Sequence, residues 1–111
     1  MPGAFHPPPF RCAVSETGGT VHVQPAGELD LSTVPLLEAR LRAALDGGGR
    51  RLVVDLRELT FMDSTGLTLL SRWTFGARLD GYDFALIAGN ERIQQLFAMT
   101  GLTPHFTFVE G

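Results

Sequence analysis

Within Phe61-Met-Asp-Ser-Thr-Gly-Leu67 an acid precedes two hydroxyls and a glycine, where a strand-like run gives way to a helical pattern. At a helix start the backbone N–H groups lack intrahelical partners and the dipole is positive, so anionic charge is accepted there. In the plainest reading Ser64 or Thr65 is the N-cap. Two features point further. Gly66 in a first helical turn costs stability, which implies a close approach to the backbone. The hydroxyls of Ser64 and Thr65 also follow Asp63 at a place where an added phosphate would be tolerated.

Hydrolytic chemistry fits these residues poorly. An aspartic-protease half-site needs glycine directly after the hydroxyl residue, and Gly66 comes one residue late. A serine elbow reads G-x-S-x-G, and Met62-Asp63 do not supply it. His6, His22 and His105 are isolated, with no second motif for a triad and no metal-ligand spacing. Gly47-Gly-Gly49 has no Gly-Lys-Ser/Thr after it, and no G-x-G-x-x-G is present, so the triplet reads as a helix stop. No catalytic residue, cofactor or metal is expected.

A chain of 111 residues fits one domain. Its 44% hydrophobic and 19% charged residues make a globular composition. No apolar stretch approaches the roughly 18–20 residues that span a bilayer. The start, Met1 to Phe10, lacks the basic and apolar regions of a secretory signal. Cys12 is the single cysteine, which rules out an internal disulfide and agrees with a cytoplasmic location. Net charge is −3, and the nine basic residues are all arginines scattered among acids. They form no basic stripe, so direct nucleic-acid binding is not expected.

The elements that must hold the motif follow from periodicity. Residues 1–9 carry four of the seven prolines and read as a flexible arm, with Phe5 and Phe10 flanking Pro7-Pro8-Pro9. Residues 10–111 read as the domain. Phe10–Ser15 and Thr20–Ala26 form a hairpin around Thr17-Gly18-Gly19, with Pro25 expected near a strand end or edge. Ser32 or Thr33 caps a first helix, with Pro35 in its first turn and Val34, Leu37, Leu41, Ala44 and Leu45 on one face. Leu52–Leu56 is a buried strand. The next helix runs from Ser64 or Thr65 to about Leu79, with Leu67, Leu70, Thr74 and Ala77 inward, and stops at Gly81. On this helix Trp73 and Phe75 point to different faces, so one aromatic is a candidate for exposure. Phe84–Ala88 is a strand. Glu91–Thr100 is a helix with Ile93, Leu96 and Phe97 inward and Gly101 after it. Phe106–Val109 is the last strand. The order is ββαβαβαβ, an α/β fold with a small mixed sheet of four or five strands flanked by helices.

Three stretches then carry a resemblance: Gly27-Glu-Leu-Asp30, Thr60-Phe-Met-Asp-Ser-Thr-Gly-Leu67 and Met99-Thr-Gly-Leu102. Together they resemble the signatures of STAS domains, with greatest similarity to the bacterial anti-sigma factor antagonists. The resemblance runs from about Phe10 to Val109. It implies the STAS fold and a phosphorylation switch. In the family the serine directly after the motif aspartate is phosphorylated, which is Ser64 here. The kinase is the anti-sigma factor, the unphosphorylated antagonist binds it and frees the sigma factor, and a phosphoserine phosphatase resets the system. Asp30 matches a family aspartate near that serine. Asp30, Asp63, Ser64, Thr65 and Gly66 are the implied partner-binding residues, and Thr65 is the rival acceptor.

Many family members continue into a further helix after the last strand. This sequence stops at Val109-Glu-Gly111, which leaves apolar surface for the Phe5–Phe10 arm or a second copy to cover. A monomer or weak dimer is expected, without a membrane partner. The alternatives are a STAS module of a stressosome or lipid-transport complex, or a nucleotide-binding STAS domain.

Overall fold

Thr17 and Thr20 face each other across Gly18-Gly19, whose φ values of 57° and 84° form a two-residue hairpin turn. Positive φ at both positions matches the twist of the flanking strands and suits glycine. The computed structural model describes residues 9–111. The arm assigned to residues 1–9 therefore falls, but for Pro9, outside the described residues.

The hairpin joins β1 (Arg11–Thr17) to β2 (Thr20–Leu29). Then follow α1 (Val34–Asp46), β3 (Arg51–Asp55), β4 (Leu59–Met62), α2 (Ser64–Asp80), β5 (Asp83–Ile87), α3 (Glu91–Thr100), a 3-10 turn (Thr103–His105) and β6 (Phe108–Val109). The sheet order is β1-β2-β3-β5-β6, with β4 also paired to β2. All contacts except the β1–β2 hairpin are parallel. The fold class is the expected mixed α/β, with one strand beyond the four or five in the sequence reading. That strand, β4, has four residues buried only at its ends, and the short Leu56–Glu58 turn separates it from β3. Such a segment has no alternating pattern to read.

β2 organises the sheet. Its first half, Thr20–Val23, pairs with β3, and its last three residues pair with β4. It runs three residues past the expected end at Ala26, and Pro25 lies inside it, not at a strand end. The register explains why this is tolerated. Residues flanking a two-residue turn form a hydrogen-bonded pair, and such pairs alternate along the ladder. Cys12 and Pro25 therefore form a non-hydrogen-bonded pair. The Pro25 nitrogen faces away from β1, between the last β3 partner and the first β4 partner, where no strand needs its donor.

The three helices share one core on one face of the sheet. Leu37 and Leu41 of α1 are fully buried, with Val34, Ala44 and Leu45 packed beside them. Thr33 occupies the N-cap position, but its side chain caps nothing. Its hydroxyl instead donates to the Glu28 carbonyl (2.8 Å) and accepts from the Asp30 N–H (2.9 Å). The expected cap is thus a clasp on the preceding loop. On α2, Leu67, Leu70, Thr74 and Ala77 are buried as the spacing predicts. Trp73 is buried and Phe75 is 56% exposed. The Trp73 indole N–H donates to Glu38 (3.1 Å), which also takes Arg72 (3.2 Å) and so ties α1 to α2. Glycines in the left-handed region end α2 (Gly81, φ 77°) and α3 (Gly101, φ 72°).

Ile93 and Phe97 of α3 are buried, and Phe97 meets Phe106 and Phe108 edge-on. The last strand is shorter than expected, because Phe106 leaves the 3-10 turn into the core and only Phe108–Val109 pairs with β5. A small second cluster, Val53, Ala85 and Ile87, lies on the other face of the sheet.

Candidate functional site

The parallel pairing of β2 with β4 brings the two aspartates of the sequence motifs together. Leu29 pairs with Met62, and the Asp63 N–H donates to the Leu29 carbonyl (3.2 Å). Asp30 and Asp63 therefore leave the sheet side by side, at the carboxyl ends of strands spaced about 4.8 Å apart. β4, the strand that the order ββαβαβαβ does not count, is what creates this juxtaposition.

Asp63, not Ser64 or Thr65, is the N-cap of α2. Its backbone is extended, and its carboxylate accepts from the Thr65 N–H (2.9 Å) and the Gly66 N–H (3.3 Å). The Thr65 hydroxyl also donates to the same carboxylate oxygen. Aspartate at this position satisfies two free donors and complements the dipole. The two hydroxyls consequently differ. Thr65 is half-buried and committed to Asp63, whereas Ser64, the first helical residue, is exposed. Among the described residues nothing hydrogen-bonds to the Ser64 hydroxyl.

Gly66 is buried. A Cβ there would stand 2.7 Å from Met62 Cγ and 3.0 Å from Leu29 Cδ2. The close approach inferred from the sequence is real, but it comes from the strand ends beneath the helix. Gly66 has no side chain to offer a partner; it lets α2 sit directly on β2 and β4.

Asp30 is half-buried in a turn of its own. Its carboxylate accepts from the Ser32 hydroxyl (2.8 Å) and the Ser32 N–H (3.0 Å), and its carbonyl accepts the N–H groups of Thr33 and Val34. The Ser32 hydroxyl hydrogen bond is the main influence that holds the carboxyl below its ordinary value, so Asp30 is anionic at neutral pH. Among the described residues neither Asp30 nor Asp63 has an ion-pair partner, and no group of side chains has the makings of a metal site. No helix of the described residues is long and apolar enough to cross a membrane.

Apolar side chains that the sequence reading passed over also surround the site. Leu31, one residue past Asp30, is 75% exposed, and Phe61, two before Asp63, is 43% exposed. A shallow groove of about 160 Å³ between β4 and α3 is lined by Phe61, Met62, Leu96 and Met99. The available signal was Phe61 itself, an aromatic inside the motif with no place in a period-two pattern.

The sequence from 12 to 109 matches the family model described as Mlab, STAS domain. An anti-sigma-B factor antagonist of Staphylococcus aureus is 36% identical over 89 residues, spanning 80% of this chain and 82% of that protein. Among solved structures, an anti-sigma factor antagonist from Mycobacterium paratuberculosis has a TM-score of 0.76 at 24% identity, covering 93% of this chain and 87% of that one. The antagonist SpoIIAA in its unphosphorylated form has a TM-score of 0.71 at 24% identity, covering 91% of this chain and 88% of its own. Its phosphorylated Bacillus form scores 0.66 at 24% identity, covering 91% of each. At these identities the solved structures speak for the fold.

Proposed function

The chain belongs to the STAS domain family, and from that premise we propose that it is an anti-sigma factor antagonist switched by phosphorylation at Ser64. It is a regulatory protein and not an enzyme. Unphosphorylated, it binds an anti-sigma serine kinase and so releases the sigma factor which that kinase holds. Phosphorylation ends the binding, and a phosphoserine phosphatase restores it.

One observation carries the choice of residue: of two adjacent hydroxyls, Ser64 is exposed and free, while Thr65 is tied to Asp63. In the transfer, Ser64 Oγ attacks the γ-phosphorus of ATP held by the kinase. Its proton passes to a base on the kinase, the bond to the β-phosphate oxygen breaks, and ADP leaves. The phosphate adds about −1.5 to −2 charges at the start of α2. A helix N-terminus accepts that charge, so the fold remains.

The cost falls on the complex. Asp30 and Asp63 already make the surface anionic, and a dianion adds bulk where the partner meets a bare hydroxyl. Exposed Leu31, Phe61 and Met99 supply apolar surface beside that polar centre for the partner to cover. Losing about 3–4 kcal/mol weakens binding by two to three decades. Peptide mapping after incubation with the kinase and ATP tests the assignment. Phosphate on Ser64 is the expected result, and phosphate on Thr65 alone contradicts it.

A further inference from the structure

The outer edge of β1 is unpaired among the described residues, since the sheet order begins with this strand. Its seven residues keep an unbroken register with β2, without bulge or proline. An edge of this kind is a template for another strand. The register also fixes what it presents. Thr17, Ser15, Ala13 and Arg11 turn their backbone groups toward β2, so Cys12, Val14 and Glu16 turn theirs outward. The same three side chains lie on the helix-covered face, opposite Pro25, Val23 and Val21.

Two open grooves run along this edge between β1 and α1. One, of about 490 Å³, is lined by Phe10, Cys12, Leu36 and Arg40. The other, of about 380 Å³, is lined by Val14, Glu16, Arg40 and Ala43. Val14 is 47% exposed and Leu36 53% exposed. Arg40 borders both grooves and, among the described residues, makes no ion pair.

We propose that this edge is a self-association surface, taken by β1 of a second copy running antiparallel about a two-fold axis through Val14. Its sequence suits itself in that register. Val14 pairs with Val14, and Cys12 pairs with Glu16 of the second copy, so outward-facing groups meet and make roughly six backbone hydrogen bonds. Each Glu16 then lies in the groove beside the other copy's Arg40, which gives two symmetric charge pairs. This complementarity selects a second copy over an unrelated strand. β4, which leads into Ser64, pairs with the opposite side of β2, so the switch sites of both copies stay open.

Sedimentation equilibrium on the full chain from about 10 μM to about 1 mM tests this, a range suited to weak association. Wild type is expected to show a monomer–dimer equilibrium. Val14→Pro removes a donor that β2 does not use, so the hairpin remains and dimerisation weakens at least tenfold. Glu16→Arg, at an exposed position, weakens it similarly, and adding Arg40→Glu restores it. A wild-type mass that stays monomeric throughout overturns the proposal. So does an unchanged association constant in both Val14→Pro and Glu16→Arg.

Discussion

Asp55 and Asp63 both stand at the carboxyl ends of parallel strands, and the chain treats them in opposite ways. Asp55 is 5% exposed and fully matched: Arg57 grips it with Nε (3.0 Å) and Nη2 (2.8 Å), and Gln24 adds a third bond (2.8 Å). Asp63 is half-buried and receives only backbone N–H groups and a hydroxyl. One carboxylate is neutralised and fastens the sheet. The other has no ion-pair partner among the described residues and stands beside a free serine. Under the proposed function, stability and recognition fall to different carboxylates, and substitutions can separate them.

The largest effect is expected at Ser64. Ser64→Asp should keep the wild-type circular dichroism spectrum and weaken kinase binding by two to three decades, which corresponds to about 3–4 kcal/mol. Asp55→Ala should do the reverse. It leaves Gln24 and Arg57 without their partner, though Arg57 is exposed enough to rehydrate. A loss of about 2–3 kcal/mol in urea unfolding is expected, with kinase affinity unchanged in the folded protein.

The pH dependence points the same way. Burial works to raise the Asp55 pKa, but the Arg57 hydrogen bonds and charge together with the Gln24 hydrogen bond outweigh it and leave the carboxyl below its ordinary value. A depressed folded pKa gives stability that is present above the unfolded value, near 3.9, and lost as pH falls through the folded value. Asp55→Asn should therefore flatten the acid side of the stability profile below about pH 4.

Two smaller effects probe the platform beneath the switch. Gly66→Ala pushes a methyl group against Met62 and Leu29, and about 2 kcal/mol of destabilisation is expected by thermal or urea unfolding. Asp63→Ala removes the helix cap and should cost about 1 kcal/mol, while Asp63→Asn keeps most of it. If Asp63→Ala cost as much as Asp55→Ala, the division of labour between the two carboxylates would fail.

Much of the frame was legible. Gly18-Gly19 marks the hairpin because only glycine takes two consecutive positive φ angles without strain. The inward faces of the helices follow from spacing, and Leu67, Leu70, Thr74 and Ala77 are buried accordingly. The misses have physical causes. β4 is too short to show a period, yet it carries Asp63 to Asp30. Asp63, Ser64 and Thr65 are all good caps, so composition could not choose among them, and the choice is what frees Ser64. The reason for Gly66 lies partly at Leu29, a residue distant in sequence that the β2–β4 register brings beneath it.

The most direct test of the central claim is affinity capture from native lysate with wild type and Ser64→Asp side by side. Wild type should retain a small ATP-binding serine kinase that Ser64→Asp loses. Capture of the same transporter or scaffold subunits by both proteins would contradict the switch and reduce Ser64 to an ordinary first residue of a helix.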